Sequence, residues 1–437
     1  MALTPGQAVD QVKTMIDVRG SEQARLELLR LYLRDEQRLT WLPQGTPVEV
    51  QRIARMSRVN VLPFIVSASV QALYVDHYRT HDDVEEQPAW DLWRANRLKA
   101  RQVGVHRSAM SYGAAYTTVL PGDPIPVIRG ASPRKMTTLY ADGDDWPMWA
   151  LEKRSTARGE MWRLFDQELT YWVGVEPGED RPTFITDEGH GAGVVPVVRY
   201  LPTDDLDDPV QGDVEPLLRL QDQINLTTFS LLVAQHYGAH RQRYIIGWLA
   251  ESEEQALKAS AQKLWTFDED PNNMKIGEFE QTELAGYIES REASLRHLAT
   301  ISQTPVHELL GQLANLSAEA LAAARDSHNR KLEERKTMLG ESHEQTLELA
   351  GYLAGYDIDP TAWVRWRDME ARSLAQTADA LGKLVQMLGV PPEALWERVP
   401  GVTQDEVQSW KAMAADGGEL GNLAEMLQRQ MGTGPAF

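Results

Sequence analysis

The sequence predicts an α+β fold, and three features predict it. Apolar residues recur at helical spacing over roughly the first 40 residues and again from residue 212 onward. Between Ala114 and Tyr200, short strand-like runs alternate with Pro, Gly and Asp clusters. No segment repeats at a fixed period, so an array of repeats is not expected.

Taken in order, Thr4-Pro5-Gly6-Gln7 sets an N-cap threonine before a proline, with glutamine three residues after the cap. A capped helix should start there. Val9, Val12 and Ile16, then Leu26, Leu29 and Leu33, continue it as two amphipathic helices broken near Gly20. The apolar run Val61 to Val75 is interrupted by Pro63, Ser67, Ser69 and Gln71 and is no membrane span. One helix is expected from about Trp90 to Ser111, with Tyr112-Gly113 as its C-cap and Tyr116 packing nearby. Ala115–Leu120, Trp149–Arg154, Met161–Phe165 and Leu169–Val173 then read as antiparallel strands.

Asp213 is expected to cap the next helix, in which Leu217, Leu220, Ile224 and Leu231 share a face and Pro216 is tolerated in the first turn. Tyr244-Ile245-Ile246 and the loop Asp268-Glu269-Asp270-Pro271-Asn272-Asn273 form a small mixed insertion. A second helix follows over about Glu283–Ser302, with Leu284, Ile288, Leu295 and Leu298 on one side. Thr304-Pro305 ends it, because a residue before proline is pushed out of the helical region. Ser317 should cap a long helix to about Leu353, striped by Leu321, Ala324, Leu332, Leu339 and Ala350. At 1.5 Å per residue it is roughly 55 Å long, more than a small domain buries alone. Ala362 to Arg367 alternates like a strand, with Trp363 and Trp366 on opposite faces, and helices resume near 373–388, 391–398, 405–414 and 422–430.

Composition narrows the function. A chain of 437 residues, 42% hydrophobic and 25% charged, is ordinary globular material of several domains. Lys plus Arg (44) against Asp plus Glu (64) leaves a net charge of -20, which disfavours gripping nucleic acid or anionic membrane with the whole surface. There is no cysteine, which removes disulfides, thiolate zinc sites and cysteine nucleophiles. The N-terminus lacks a signal-peptide core, so a soluble protein made in the cytoplasm is expected.

The sequence carries no recognisable catalytic motif. There is no GxxxxGK[ST] phosphate cradle and no GxSxG elbow, and His307-Glu308 and His343-Glu344 lack the second histidine of HExxH. His236 and His240 are four apart without a third ligand and read as structural surface residues. Asp204, Asp205, Asp207 and Asp208, like Asp268-Glu269-Asp270, lack the spacing of an EF-hand loop and read as solvated. Arg325, Arg330, Lys331, Arg335 and Lys336, interleaved with Asp326, Glu333 and Glu334, read as an exposed salt-bridged helix face. No catalytic residue, cofactor or metal site is assigned.

The order of parts carries more than any motif. Gly212–Asn225, containing Leu220-Gln221-Asp222-Gln223-Ile224-Asn225, is followed by Tyr244-Ile245-Ile246-Gly247, an Ile276-Gly277-Glu278-Phe279 turn, and Thr304-Pro305 with Asn315-Leu316-Ser317-Ala318-Glu319-Ala320-Leu321. Trp93, Asn96 and Tyr112-Gly113 add weaker support. This arrangement resembles the portal proteins of long-tailed bacteriophages over essentially the whole chain, although Ala318 stands where that family commonly has glycine.

The resemblance implies a non-enzymatic, homododecameric ring at one capsid vertex of the virion. Double-stranded DNA would be packaged and ejected through it. Its partners would be the terminase large subunit, a head-completion or connector protein, and the major capsid and scaffolding proteins; no membrane is involved. It also implies a wing (1–211 and 317–375), stem helices (212–240 and 281–302), a clip (241–280), a tunnel loop (303–316) and a crown (376–437). Gln303, Thr304, His307, Gln312 and Asn315 would then face the DNA channel, and Asp268, Glu269, Asp270, Asn272 and Asn273 would bind partners. Ser302 to Ser317 contains no Lys or Arg, so such a loop forms few phosphate ion pairs. Two other readings stay open from the residues: a carboxylate-dependent enzyme without a recognisable motif, and a helical adaptor docking through 373–430.

Overall fold

The computed structural model describes residues 2–39, 42–80, 87–156, 159–175, 182–206, 209–238, 243–246, 275–278, 283–311, 318–367, 374–399, 402 and 406–414. Helix α1 (Pro5–Leu33) begins at the expected capping box: the Thr4 hydroxyl accepts from the Gln7 N–H, and the Gln7 side chain accepts from the Thr4 N–H. It does not break at Gly20. An internal glycine costs only about 1 kcal/mol, and α1 is held on both sides of it by two different cores. Ala8, Val12 and Met15 pack on one sheet, while Leu29 and Tyr32 enter the main core. Helix α2 (Val48–Met56) follows, and the apolar run becomes α3 (Leu62–Ala72), with Pro63 in its first turn, and the fully buried strand β1 (Val75–Arg79).

The single helix expected over Trp90–Ser111 is two: α4 (Gln87–Ala95) and α5 (Leu98–Tyr112). Buried Asn96 decides this. Its amide nitrogen donates to the Leu92 and Pro126 carbonyls, and its amide oxygen accepts from the Ile128 N–H at 2.8 Å. The side chain thus serves a strand, and Arg97 turns the chain with φ of 55°.

All four expected strands form. Strands β2 (Ala115–Leu120), β3 (Val127–Ala131) and β9 (Val197–Tyr200) make a sheet in the order β3-β2-β9. Strands β4 (Met136–Tyr140), β5 (Pro147–Thr156), β6 (Gly159–Phe165), β7 (Leu169–Val175) and β8 (Thr183–Gly189) make an antiparallel meander. Register places Leu151 opposite Leu164 and Leu164 opposite Tyr171, giving an apolar face that receives α1. Arg163 lies on the opposite face, 2.6 Å from Glu152 and over the rings of Phe165 and Trp172.

Past residue 200, a 3-10 turn (Glu215–Leu217) leads into α6 (Leu218–Gly238). Strands β10 (Arg243–Ile246) and β11 (Lys275–Glu278) pair antiparallel, so Ile276-Gly277-Glu278 is strand, where a turn was expected. Helix α7 (Ala285–Ser302) returns, a short α8 (Val306–Leu310) follows, and α9 (Ala318–Ala354) is the long helix. Its Ser317 cap lies outside the described residues. Leu332, Leu339 and Ala350 are buried as expected and Ala324 is exposed. Strand β12 (Trp363–Trp366) pairs with β1, Tyr78 opposite Val364, closing the fold between distant parts of the chain.

Helix α10 (Leu374–Leu388) and a helical run at 406–414 match expectation. Pro392–Arg398 is a 3-10 helix and not the expected α-helix. Glu397 in it receives Arg79 at 3.1 Å, Lys411 at 3.3 Å and Arg365, fastening this tail to the β1/β12 pair.

Gly113 is the expected C-cap of α5, with φ of 85° and its N–H on the Ala109 carbonyl. A Cβ there would lie 2.3 Å from the Val210 carbonyl oxygen, and one on Gly212 would lie 2.6 Å from the Met110 carbonyl oxygen. The two glycines let the chain cross closely enough for the Asp213 N–H to reach Met110 O at 2.7 Å. Gly113→Ala combines left-handed strain with this clash, and its expected cost is about 2–4 kcal/mol in urea denaturation. A change below about 0.5 kcal/mol would show that the crossing is slack.

Candidate functional site: where the helix pair meets the long helix

Helices α6 and α7 form an antiparallel pair: the turn that opens α6 packs against α7, and Leu217, Ile224, Leu295 and Leu298 share the main core with Leu332 and Leu339 of α9. Farther along α7 the apolar stripe is uncovered at Ile288, and on α6 Leu226 is exposed on the face it shares with Arg219 and Gln223. So of the stripe expected on α7, Leu295 and Leu298 are buried and Ile288 is not.

The stretch Leu220–Asn225 docks backbone. The Gln221 amide nitrogen donates to the Val59 carbonyl at 2.8 Å, and its oxygen accepts from the Val61 N–H at 3.1 Å. Asn225 Oδ1 accepts from the Val59 N–H at 3.0 Å, and the Tyr32 hydroxyl donates to Asp222 Oδ2 at 2.6 Å. Side-chain amides one helical turn apart therefore offer residues 59–61 what a neighbouring strand would, pairing backbone groups that no sheet serves.

Asp213 does not cap a helix. The residue before the 3-10 turn is Val214, without a side-chain cap, and the Asp213 carboxylate is 3% exposed inside a charge cluster. Lys331 Nζ is 3.0 Å from Oδ2 and Arg335 Nη2 is 3.3 Å from Oδ1; the Ser69 hydroxyl donates to Oδ2 at 3.4 Å. This corrects the expectation of one exposed charged face on α9. Arg330 with Asp326 and Lys336 with Glu333 are exposed pairs, whereas Lys331 and Arg335 point inward. Burial lowers the Lys331 pKa, against the opposing pull of Asp213.

The end of α7 is a Schellman turn: the Gln303 N–H donates to Thr300 O and the Thr304 N–H to Ala299 O, with Gln303 left-handed and Pro305 barring continuation. Of the residues expected at the channel, Gln303 is exposed, while Thr304 and His307 are buried within the chain. Thr304 Oγ1 accepts from the Ser302 hydroxyl. Gln312 and Asn315 lie outside the described residues, as do Asp268, Glu269, Asp270, Asn272 and Asn273.

Deeper in the molecule, α9 carries a polar chain that the sequence reading missed. His106 Nδ1 donates to the Leu73 carbonyl, which leaves Nε2 to accept from His343 Nε2–H at 2.8 Å. His343 Nδ1 accepts from the Tyr200 hydroxyl at 3.1 Å, and Tyr200 contacts Thr346, itself 2.9 Å from Thr117. Both imidazoles are fully buried and neutral; burial lowers His106 to about 4 and His343 well below its ordinary value.

Elsewhere, His236 Nε2 meets Glu49 at 2.9 Å. His240, Asp207 and Asp208 lie outside the described residues. Among the described residues no group of His, Cys, Asp and Glu is arranged to hold a metal, and no helix is long and apolar enough to cross a membrane.

These parts define a class. A helix pair, a capped connection and a long helix on antiparallel sheets make up this fold, which as a whole is similar to a chain of the structure described as "Virion of native gene transfer agent (GTA) particle". That likeness has a TM-score of 0.50 at 14% identity and covers 86% of this chain and 100% of the other. Residues 27–419 match the family described as "Phage portal protein, SPP1 Gp6-like", and the chain belongs to that family. It is 26% identical over 419 residues to the portal protein of Mycobacterium phage D29, covering 88% of this chain and 84% of the relative. To the portal protein of Mycobacterium phage L5 it is 24% identical over 394 residues, covering 81% and 77%. As a portal-family member it is a structural, non-enzymatic phage protein, so the carboxylate-enzyme reading is set aside.

Proposed function

We propose that the chain assembles into a closed dodecameric ring at one capsid vertex and conducts double-stranded DNA inward during packaging and outward at ejection. The observation that carries this reading is the family match across 27–419, which spans every part the channel would need. Two physical features support it. Leu226 and Ile288, exposed on the helix pair, would be available to a neighbouring copy in a ring. The net charge of -20 and a connection at 302–317 without Lys or Arg suit a conduit that must not hold the duplex, because binding strength grows with the number of phosphates neutralised.

In this reading the wing is 1–211 with 317–375, the stem helices are 212–240 and 281–302, and the crown is 376–437. In the 303–316 segment nearest the DNA, Gln303, Gln312 and Asn315 would face the duplex, while Thr304 and His307, buried within the chain, would hold the segment from behind. The clip, 241–280, would take the terminase large subunit and later a connector protein through Asp268, Glu269, Asp270, Asn272 and Asn273. Major capsid and scaffolding proteins would meet the outer ring.

Negative-stain imaging and native mass measurement of the purified chain test the proposal. Closed rings with a central hole, at many times 49.2 kDa, are expected. A protein that stays monomeric at micromolar concentration from low to high salt would refute it and would favour the monomeric adaptor.

A further inference from the structure

Lys331 stands where three parts of the chain meet. It projects from α9, is 6% exposed, and besides its 3.0 Å approach to Asp213 it donates to the Ser302 carbonyl oxygen at 3.1 Å. Asp213 leads into α6 and Ser302 is the last residue of α7, so one ammonium group touches both ends of the pair on this side. One turn earlier on α9, His328 Nδ1 donates to the Gln303 carbonyl at 3.0 Å; one turn later, Arg335 holds the other oxygen of Asp213.

The charges explain why the ammonium lies there. The two cations share one buried carboxylate, the second acid being the half-exposed Glu334, 3.5 Å from Arg335, and the Lys331 ammonium is also set against the carbonyls at the carboxy end of α7, where the helix carries partial negative charge. Those carbonyls belong to Ser302 and Gln303, the point from which the chain leaves the pair. Gln303 has φ of 54°, which a residue with a Cβ keeps only when its surroundings fix it.

We propose that Lys331 is a positioning residue for the polypeptide after α7: its ammonium clamps the carboxy end of α7 to the approach of α6 and so fixes where residues 303–311 leave the helix pair. Its bearing on DNA passage rests on the channel reading above; the clamp itself does not.

Hydrogen exchange on the purified full-length assembly tests the clamp. Lys331→Met leaves Asp213 paired with Arg335 and no charge unbalanced, so it should fold. Its amides at 303–311 should exchange about ten-fold faster, the loss expected when a charge-assisted hydrogen bond is removed, with the β5–β7 sheet unchanged. Lys331→Arg, which keeps the charge and the donors, should restore most of the protection. Should Lys331→Met not fold, His328→Leu frees the Gln303 carbonyl alone and should speed the same amides by a smaller factor. Unchanged exchange at 303–311, acceleration spread evenly over the chain, or no rescue by arginine would overturn the proposal. Faster exchange with normal DNA packaging would uphold the clamp and count against the channel reading instead.

Discussion

Asp213→Ala is expected to destabilise the protein by about 3–5 kcal/mol, because it leaves the Lys331 ammonium buried without its carboxylate and Arg335 with only the half-exposed Glu334. The size follows from burial: an exposed ion pair contributes less than about 1 kcal/mol, whereas here solvent cannot replace the lost partner. Lys331→Met should cost less, since it leaves a matched pair. The double variant Asp213→Ala with Lys331→Met should fall well short of the sum of the two, because the second change removes one of the orphaned charges. Urea denaturation at one fixed protomer concentration measures all three, and salt should change the differences little, buried charges being weakly screened. A cost below about 1 kcal/mol for Asp213→Ala would mean that water reaches the cluster.

The second large effect is acid sensitivity centred on His106 and His343. Both are held neutral in the folded protein, with pKa values below the ordinary histidine value of 6.5. The unfolded chain therefore binds more protons than the folded one once pH drops below about 6.5. Stability from this pair is complete above that pH and is lost as pH falls toward about 4, where His106 itself would titrate. The rings around the pair, from Trp93, Tyr200 and Trp366, are uncharged, and the Leu73 carbonyl offsets only part of the burial cost at His106. Between pH 7.5 and pH 5, His106 alone should account for about 2 kcal/mol, and His343 should add to it. Urea midpoints at those two pH values give the loss, and His106→Gln should reduce the dependence by about one proton. Equal midpoints at both pH values would show that the pair is solvated.

Much of the local structure was legible from residue chemistry. The Thr4 capping box, the Gly113 cap and the Thr304-Pro305 stop depend on interactions within a few residues, and the strands between 115 and 173 show in short apolar runs between turn residues, all of which sequence displays directly. The breaks at Gly20 and Asn96 were misread because each is decided by a distant partner. Two cores hold α1 straight through a weak helix former, while a buried strand takes the Asn96 amide and bends the chain.

The junction was half visible. From sequence its cations read as a surface row, because a row of mixed charges on a helix is usually solvated. A finer signal was present: 328, 331, 335, 339, 342 and 346 fall on one helical stripe with the buried Leu339. Charged residues in line with an apolar stripe, and not opposite it, mark a buried polar seam.

What the sequence by itself determined was the class of elements, their order and the family likeness, since periodicity, caps and spacing are properties of neighbouring residues. Only the tertiary structure decided that Asp213 serves Lys331 and Arg335 instead of a helix end, that Gln221 and Asn225 act as a strand edge, and that His106 meets His343. Each pairing joins residues more than 100 positions apart, and a buried polar group takes whichever partner the fold brings within about 3 Å, because leaving it unpaired costs about 1–3 kcal/mol.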